Sequence, residues 1–215
     1  MNKTFPAALL LLFAVFASAP AALAQLDNEV ECNNNENTSV APTTPKRRFV
    51  IGANNNDNLI FDRKTGLMWQ RCPTGYLFDS PFGVCAEDPN ATDGFTWQQA
   101  LDRAQTANGN NLSGYSDWRV PNVKQLASIV ENRCYGPAAN DLVFSTAPAG
   151  AFWTNSPTAQ SNDPNTISGT TVVANKIWAV NFSQGQVLSA GKTDVLFLRL
   201  VRVVDPGNYA ALNAQ

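Results

Sequence analysis

Four cysteines, at positions 32, 72, 85 and 134, constrain the fold of this 215-residue chain more than any other feature. An even number of cysteines in an exported protein favours disulfides, and four cysteines allow three pairings. Cys72 and Cys85 bracket a loop rich in glycine and proline, so we predict that they pair locally and that Cys32 pairs with Cys134. A metal site is the alternative, but the chain has no C-x-x-C motif and no histidine.

The N-terminus has the features of an export signal, and export brings a chain to a compartment in which disulfides form. Lys3 precedes an apolar run from Ala7 to Ala17, and the sequence Ala22-Leu23-Ala24 matches a signal-peptidase site. An N-terminal membrane anchor is the alternative, but the run is shorter than the ~20 residues that span a bilayer. We therefore predict a signal peptide at 1–24, a secreted, periplasmic or cell-surface protein, and no stable membrane insertion after cleavage.

Local composition divides the mature chain into three parts. Residues 25–48 are rich in asparagine, threonine and proline, which predicts a flexible tail ending in a solvated basic triplet, Lys46-Arg47-Arg48. Residues 49–204 form one domain, and residues 205–215 form a C-terminal tail. Within the domain, a polar stretch from Thr158 to Lys176 predicts a long surface loop.

Periodicity and turn signals place strands on both sides of two helices. Thr96 with Gln99, and Asn122 with Gln125, have the capping-box pattern that begins helices. The second helix is expected to continue through Val130. Strands are predicted at 49–51, 59–61, 67–69, 152–154, 177–182, 187–188 and 195–204, the last as a central strand. This order predicts an α+β fold with a mainly antiparallel sheet.

The absence of histidine excludes Ser-His-Asp triads, Cys-His dyads and His-ligated zinc. Phosphate-loop, dinucleotide-binding and EF-hand motifs are missing too. A net charge of −2 gives no general attraction to nucleic acid. Only carboxylates remain as catalytic candidates, and no spacing selects a pair among Asp79, Glu87, Asp88, Asp93, Asp102, Asp117 and Glu131. We therefore predict no catalytic residue, metal, cofactor or nucleic-acid partner.

Six motifs, five of them around tryptophans, occur in order along the chain. They are T-G-L-M-W-Q-R-C at 65–72, W-Q-Q-A at 97–100, D-W-R-V-P-N-V-K-Q-L at 117–126, F-W-T-N-S-P at 152–157, W-A-V-N-F-S-Q-G at 178–185 and R-L-V-R at 199–202. Together they resemble the Legionella collagen-like protein C-terminal domain family over residues 49–204.

This resemblance implies a bacterial, exported protein. It also implies a fold related to C-type lectins and to the formylglycine-generating-enzyme domain. In the family's namesake the domain binds sulfated glycosaminoglycans and supports adhesion. A sulfated ligand needs a basic patch, whereas lysine and arginine are scattered along this sequence.

The motif residues divide into binding candidates and structural candidates. Aromatic rings with nearby amides suit sugars, and the candidates of this kind are Trp153, Asn155, Trp178 and Asn181. A structural role, in turns, core packing or internal ion pairs, is predicted for Asp62, Gly66, Trp69, Asp117, Trp118 and Arg119.

These observations predict an exported, non-catalytic binding module that recognises a surface glycan or protein in attachment or biofilm formation. The alternative is a structural or accessory subunit of a surface appendage or envelope assembly that binds no small molecule. The sequence leaves the ligand and the oligomeric state open.

Overall fold

The computed structural model of the chain describes residues 29–33, 35–158 and 176–213. The predicted signal peptide at 1–24 and the interior of the predicted loop from Thr158 to Lys176 lie outside the described residues. The strands are β1 (Phe49–Ile51), β2 (Leu59–Asp62), β3 (Leu67–Gln70), β4 (Tyr76–Asp79), β5 (Val84–Glu87), β6 (Ala151–Pro157), β7 (Lys176–Asn181), β8 (Gln186–Gly191) and β9 (Val201–Val203). The helices are α1 (Trp97–Gly109), α2 (Val123–Ala127) and α3 (Tyr209–Asn213).

The strands form two antiparallel sheets and a separate ribbon. The first sheet has the order β1-β2-β3-β9, the second has the order β6-β7-β8, and β4 pairs with β5 alone. This arrangement confirms the predicted α+β class and the mainly antiparallel pairing, while the relation to C-type lectins stays a prediction. Within the described parts of the chain, no helix has both the length and the apolarity needed to cross a bilayer.

The four-stranded sheet is covered on both faces. Because side chains alternate along a strand, Leu59 and Phe61 face one core cluster, which includes Ala100 of α1. Ile60 faces a second cluster, which includes Leu126 of α2. Burial on both sides explains why these strands are short, continuous apolar runs rather than alternating ones.

Both predicted capping boxes are confirmed. The Thr96 side chain accepts from the backbone N–H of Gln99, and the Gln99 side chain accepts from the backbone N–H of Thr96 at 2.8 Å. Asn122 and Gln125 make the same reciprocal pair at the start of α2. The prediction that this helix continues through Val130 is wrong: the N–H of Val130 bonds back only three residues, in the tighter 3₁₀ pattern.

The prediction of one long central strand at 195–204 is also wrong, because only Val201–Val203 is a strand. The residues before this strand form backbone hydrogen bonds with a different part of the chain at almost every position. Leu196 pairs with Phe95, and Phe197 bridges to Phe152 of β6. The stretch therefore crosses from the second sheet to the first, and its apolar character reflects burial between them rather than a single ladder.

The structure confirms both disulfides, Cys72–Cys85 and Cys32–Cys134. Between the first pair, the segment predicted only as a loop forms the β4–β5 ribbon. Its tight turn contains Gly83, whose φ of +69° suits glycine. The glycine and proline residues that indicated a loop lie before β4 and in the turn between β4 and β5. The disulfide ties β5 to Cys72, which follows β3.

The described part of the predicted flexible tail is docked on the domain, which contradicts that prediction. Val30 and Thr44 are buried, and Cys32 is bonded to Cys134. The main anchor is the buried carboxylate of Glu131, which accepts from the Thr44 backbone at 2.6 Å and from its hydroxyl at 2.8 Å. A low-complexity segment folds here because the domain supplies the burial and the partners that it lacks alone.

The predicted C-terminal tail contains α3. Leu212 of this helix is buried, and the ring of Tyr209 packs on that of Phe61 with centroids 5.6 Å apart. A side chain at Gly66 would collide with the hydroxyl of Tyr209, which explains the glycine in this turn beyond its φ of +69°.

Candidate functional site

The four residues predicted to bind a sugar do not form one site. Trp153 is fully buried, and its indole N–H donates to the carbonyl of Phe95 at 2.6 Å, so its ring cannot serve as a stacking surface. Trp178 and Asn181 lie three residues apart on β7 and therefore point to opposite faces of the sheet. Asn155 is exposed on β6.

The side chain of Asn181 has a local task instead. Its Oδ1 accepts from the backbone N–H of Ser183 at 2.9 Å and begins the turn between β7 and β8. The carbonyl of Trp178 accepts from the hydroxyl of Thr154, which joins β7 to β6. The aromatic and amide residues that suggested a sugar site therefore serve mainly the packing, the strand pairing and the turn of the second sheet.

The residues predicted to be structural occupy such positions. Trp69 and Trp118 are buried in the two core clusters, and the indole N–H of Trp118 donates to the carbonyl of Leu112 at 2.9 Å. Asp62 accepts from the backbone N–H of Lys64 at 3.0 Å and so fixes the turn after β2.

Asp117 and Arg119 do not pair with each other. Asp117 binds Arg202 at 2.6 Å, and Arg119 donates to the side chain of Gln125 at 2.8 Å. The backbone of Arg119 also exchanges two hydrogen bonds with Val201. Burial lowers the pKa of the Arg119 guanidinium, with Asp117 opposing the shift. These contacts lock the segment before α2 onto β9.

Two of the candidate carboxylates already have partners within the fold. Glu131 is buried and engaged with the N-terminal segment, and Asp117 is committed to Arg202. In residues 29–33, 35–158 and 176–213, no three cysteine or acidic side chains come together in a way that could hold a metal ion.

The structure instead assembles a cluster of cations that the sequence keeps apart. Strands β1 and β2 pair with Phe49 opposite Asp62, so the residues before β1 lie beside the residues after β2. This pairing brings together four exposed basic side chains, Lys46, Arg47, Arg63 and Lys64. We call these four residues the basic surface.

Two adjoining open grooves run over the basic surface. One, of about 530 Å³, is lined by residues that include Arg47, Arg63 and Lys64. The other, of about 370 Å³, is lined by residues that include Lys46, Arg47 and Arg63. Arg47 and Arg63 line both grooves and form the ridge between them. The Nη1 of Arg63 donates to the carbonyls of Arg47 and Phe49 at 3.0 and 3.1 Å, which holds its side chain along the edge of β1.

The charge of the basic surface is only partly compensated. A carboxylate oxygen of Glu29 lies 3.8 Å from the guanidinium of Arg47. The neighbouring Arg48 adds no free charge, because its buried guanidinium is paired with Asp62 at 2.8 Å and also donates to the carbonyl of Ser128. Within the described part of the chain, the four exposed cations thus form one ion pair, with Glu29, and such an arrangement attracts anions.

Reasoning from the sequence missed this cluster because it counted lysines and arginines along the chain. The signal was present: the triplet at 46–48 precedes a predicted strand, and Arg63-Lys64 follow its predicted partner. Antiparallel pairing of those two strands necessarily brings the two basic stretches together. The basic surface also requires that the N-terminal segment is docked on the domain. Residues near this segment do not predict the docking, because the carboxylate that anchors it, that of Glu131, lies far along the chain.

Comparison with known proteins places the chain in a family. A search of curated proteins found no significant match. The sequence model described as the Lcl C-terminal domain matches residues 58–202. The matched region includes the strands β2 to β8, most of β9, and the helices α1 and α2. The match spans most of the chain and includes all six motifs, so the protein belongs to the Lcl C-terminal domain family.

Proposed function

We propose that this protein is an exported, non-catalytic binding domain that recognises an anionic surface glycan through the basic surface, in attachment or biofilm formation. The observation that carries the proposal is the clustering of Lys46, Arg47, Arg63 and Lys64 over two adjoining grooves. Family membership and the two disulfides, which fit an oxidising compartment, support it.

The shape of the surface favours a polymer over a compact ion. The grooves are open and share their central ridge, so a chain can pass over both without being enclosed. Arginine binds sulfate and carboxylate groups with parallel hydrogen bonds, while lysine acts as a point charge. A polysaccharide with regularly spaced anionic groups can therefore place successive groups on Lys64, the Arg47–Arg63 ridge and Lys46.

Heparin, a sulfated polysaccharide, is a suitable probe, and uncharged dextran is its neutral counterpart. The double variant Lys46→Gln/Lys64→Gln removes two exposed charges from the basic surface. We expect its affinity for heparin to fall about 10-fold, since each exposed charge pair contributes up to about 1 kcal/mol. Binding of the wild type should also weaken as salt is raised.

The matched control is Lys176→Gln/Lys192→Gln, which removes the same number of charges from β7 and the turn after β8. This control should keep most of the heparin affinity. Equal losses in the two double variants, or dextran binding as tight as heparin binding, would contradict a specific role for the basic surface.

One observation favours the alternative of a subunit in an envelope assembly. The β4–β5 ribbon exposes two large apolar side chains, Leu77 at 58% and Phe82 at 78% of their surface. An exposed apolar surface on one element fits a contact with another protein. If this alternative is correct, Phe82→Ser abolishes assembly into isolated envelope complexes, whereas the Lys46→Gln/Lys64→Gln variant assembles normally.

A further inference from the structure

A separate cavity of about 270 Å³ lies between the C-terminal half of α1 and the β4–β5 ribbon. Its floor is formed by the end of β3 and by Leu200. The polar side chains that line it include those of Asn58, Gln70, Tyr76 and Arg103, none of which belongs to the basic surface. Its volume is close to the lower limit, about 300 Å³, of pockets that hold small molecules.

Gln70 presents a fixed hydrogen-bond donor to this cavity. The residue is only 7% exposed, and its Oε1 accepts from the backbone N–H of Leu200 at 3.0 Å and from the Thr74 hydroxyl at 3.2 Å. A backbone N–H can only donate, so the oxygen must face Leu200 and the NH₂ group must point the other way. The hydrogen bonds of this side chain within the described residues are the two to Oε1, so its NH₂ group has no acceptor there, and Gln70 is one of the residues that line the cavity.

Asn58 repeats this arrangement on the same cavity. Its Oδ1 accepts from the backbone N–H of Cys72 at 2.9 Å, which again fixes which end of the amide is the donor. Cys72 is itself held by the disulfide to Cys85. Two amide NH₂ groups are thus oriented before any ligand arrives, and both lie on walls that the fold keeps rigid.

The remainder of the cavity is balanced between apolar and polar groups. Leu200 and Pro73 contribute apolar surface, and Tyr76 contributes an aromatic ring. Asp88 and Arg103 also line the cavity, and the guanidinium of Arg103 lies 5.3 Å from the centroid of the Phe95 ring. With one cation and one carboxylate, the cavity does not select for charge. It suits a small neutral ligand that has hydroxyl or carbonyl acceptors and an apolar C–H face.

We propose that this cavity binds one neutral saccharide residue, with the amide groups of Asn58 and Gln70 donating to its oxygen atoms. The site is independent of the basic surface. A glycan that carries both neutral and anionic residues could therefore be recognised at two places on the domain, one by hydrogen bonds and one by charge.

The test uses the disulfide-bonded protein labelled with ¹⁵N and a panel of single sugars: glucose, galactose, mannose and N-acetylglucosamine. We expect at least one of them to shift the side-chain NH₂ signals of both Asn58 and Gln70 in a saturable manner. If all four sugars leave both signals unchanged, or shift only signals from the basic surface, the proposal is wrong.

Two variants test the donors directly. Asn58→Asp and Gln70→Glu keep the oxygen that accepts from the backbone and replace only the donating NH₂ group. Each should weaken sugar binding about 10-fold, which corresponds to one lost hydrogen bond. Gln70→Glu places a charge at a buried position, whereas Asn58 is half-buried, so Asn58→Asp is the variant that decides the test.

The matched control is Asn132→Asp, which introduces the same charge at an exposed asparagine outside the cavity and should bind sugar normally. Unchanged affinity in a folded Asn58→Asp protein would overturn the proposal. Heparin binding in Asn58→Asp should equal that of the wild type, so failure at this cavity can be distinguished from failure at the basic surface.

Discussion

The carboxylate of Glu131 should decide whether the N-terminal segment stays on the domain. It is fully buried and accepts from four groups: the backbone N–H groups of Thr43, Thr44 and Arg133 and the hydroxyl of Thr44. In Glu131→Gln an NH₂ group replaces one oxygen, so whichever way the amide turns, a backbone donor faces another donor.

The size of the effect follows from those bonds. A hydrogen bond to a charged acceptor contributes about 1.5–3 kcal/mol, and leaving a buried donor unpaired costs about 1–3 kcal/mol. We expect the segment that ends at Arg48 to detach about 3 kcal/mol more easily in Glu131→Gln. Its open population should rise about 100-fold, since about 1.4 kcal/mol corresponds to a factor of ten.

Native-state proteolysis with trypsin measures this opening, because the rate of cleavage of a transiently opened segment follows its population. Cleavage at Lys46, Arg47 and Arg48 should be about 100-fold faster in Glu131→Gln. The two pieces should separate only after reduction, since Cys32 stays bonded to Cys134.

Glu87→Gln makes the same chemical change at an exposed carboxylate of β5 and should leave the cleavage rate unaltered. If Glu131→Gln is cut no faster than Glu87→Gln, the carboxylate does not anchor the segment. The disulfide and the buried apolar contacts would then be sufficient.

Three further outcomes follow from the structure. Asp62→Asn should lower the free energy of unfolding in urea by about 3–5 kcal/mol, because it leaves the buried guanidinium of Arg48 without its anion. Asp117→Asn should lower it by less than about 1 kcal/mol, because the side chain of Asp117 is 53% exposed. Equal losses in the two variants would contradict this difference. Replacing Cys72 and Cys85 with serine should cost about 3 kcal/mol in the chain-entropy description of a 13-residue separation, and a urea midpoint equal to that of the wild type would refute it. Burial, followed by Glu87 and Asp93, raises the pKa of Tyr76 from 10.0 to about 12, so the stability contributed by its neutral form is complete below pH 10 and is lost as the pH rises through about 12. Tyr76→Phe should remove that part of the pH dependence of thermal unfolding, and the phenolate absorbance should show one tyrosine titrating late.

Local chemistry made much of the fold predictable. Thr96 and Asn122 cap their helices as expected, because a capping box needs only residues three positions apart. The local disulfide followed from the loop between Cys72 and Cys85, and the pairing of the remaining two cysteines followed by elimination. Each of these features depends on residues that are close in the chain or on a small number of alternatives.

The failures share a physical cause, which is dependence on distant partners. The segment before Phe49 has too little apolar surface to fold alone, yet Glu131 and Cys134 hold it. Trp153 has the ring and the neighbours of a sugar-binding surface, but the core cluster packed against the second sheet, which includes Ala100 of α1, buries it completely. The basic surface requires the register of β1 with β2 as well as the docked segment, so counting charges along the chain could not reveal it.

The crossing segment before β9 has a consequence for the order of folding. The backbone of Leu196 bonds to that of Phe95, and the backbone of Phe197 bonds to Ala151 and Trp153 at the start of β6. The backbone of Leu200 bonds to Gln70 at the end of β3. These contacts join residues that lie between about 44 and 130 positions apart in the chain, and closing such loops is slow. The backbone hydrogen bonds that this segment makes to both sheets therefore form only when the last part of the domain is available, so we expect the two sheets to be joined late in folding.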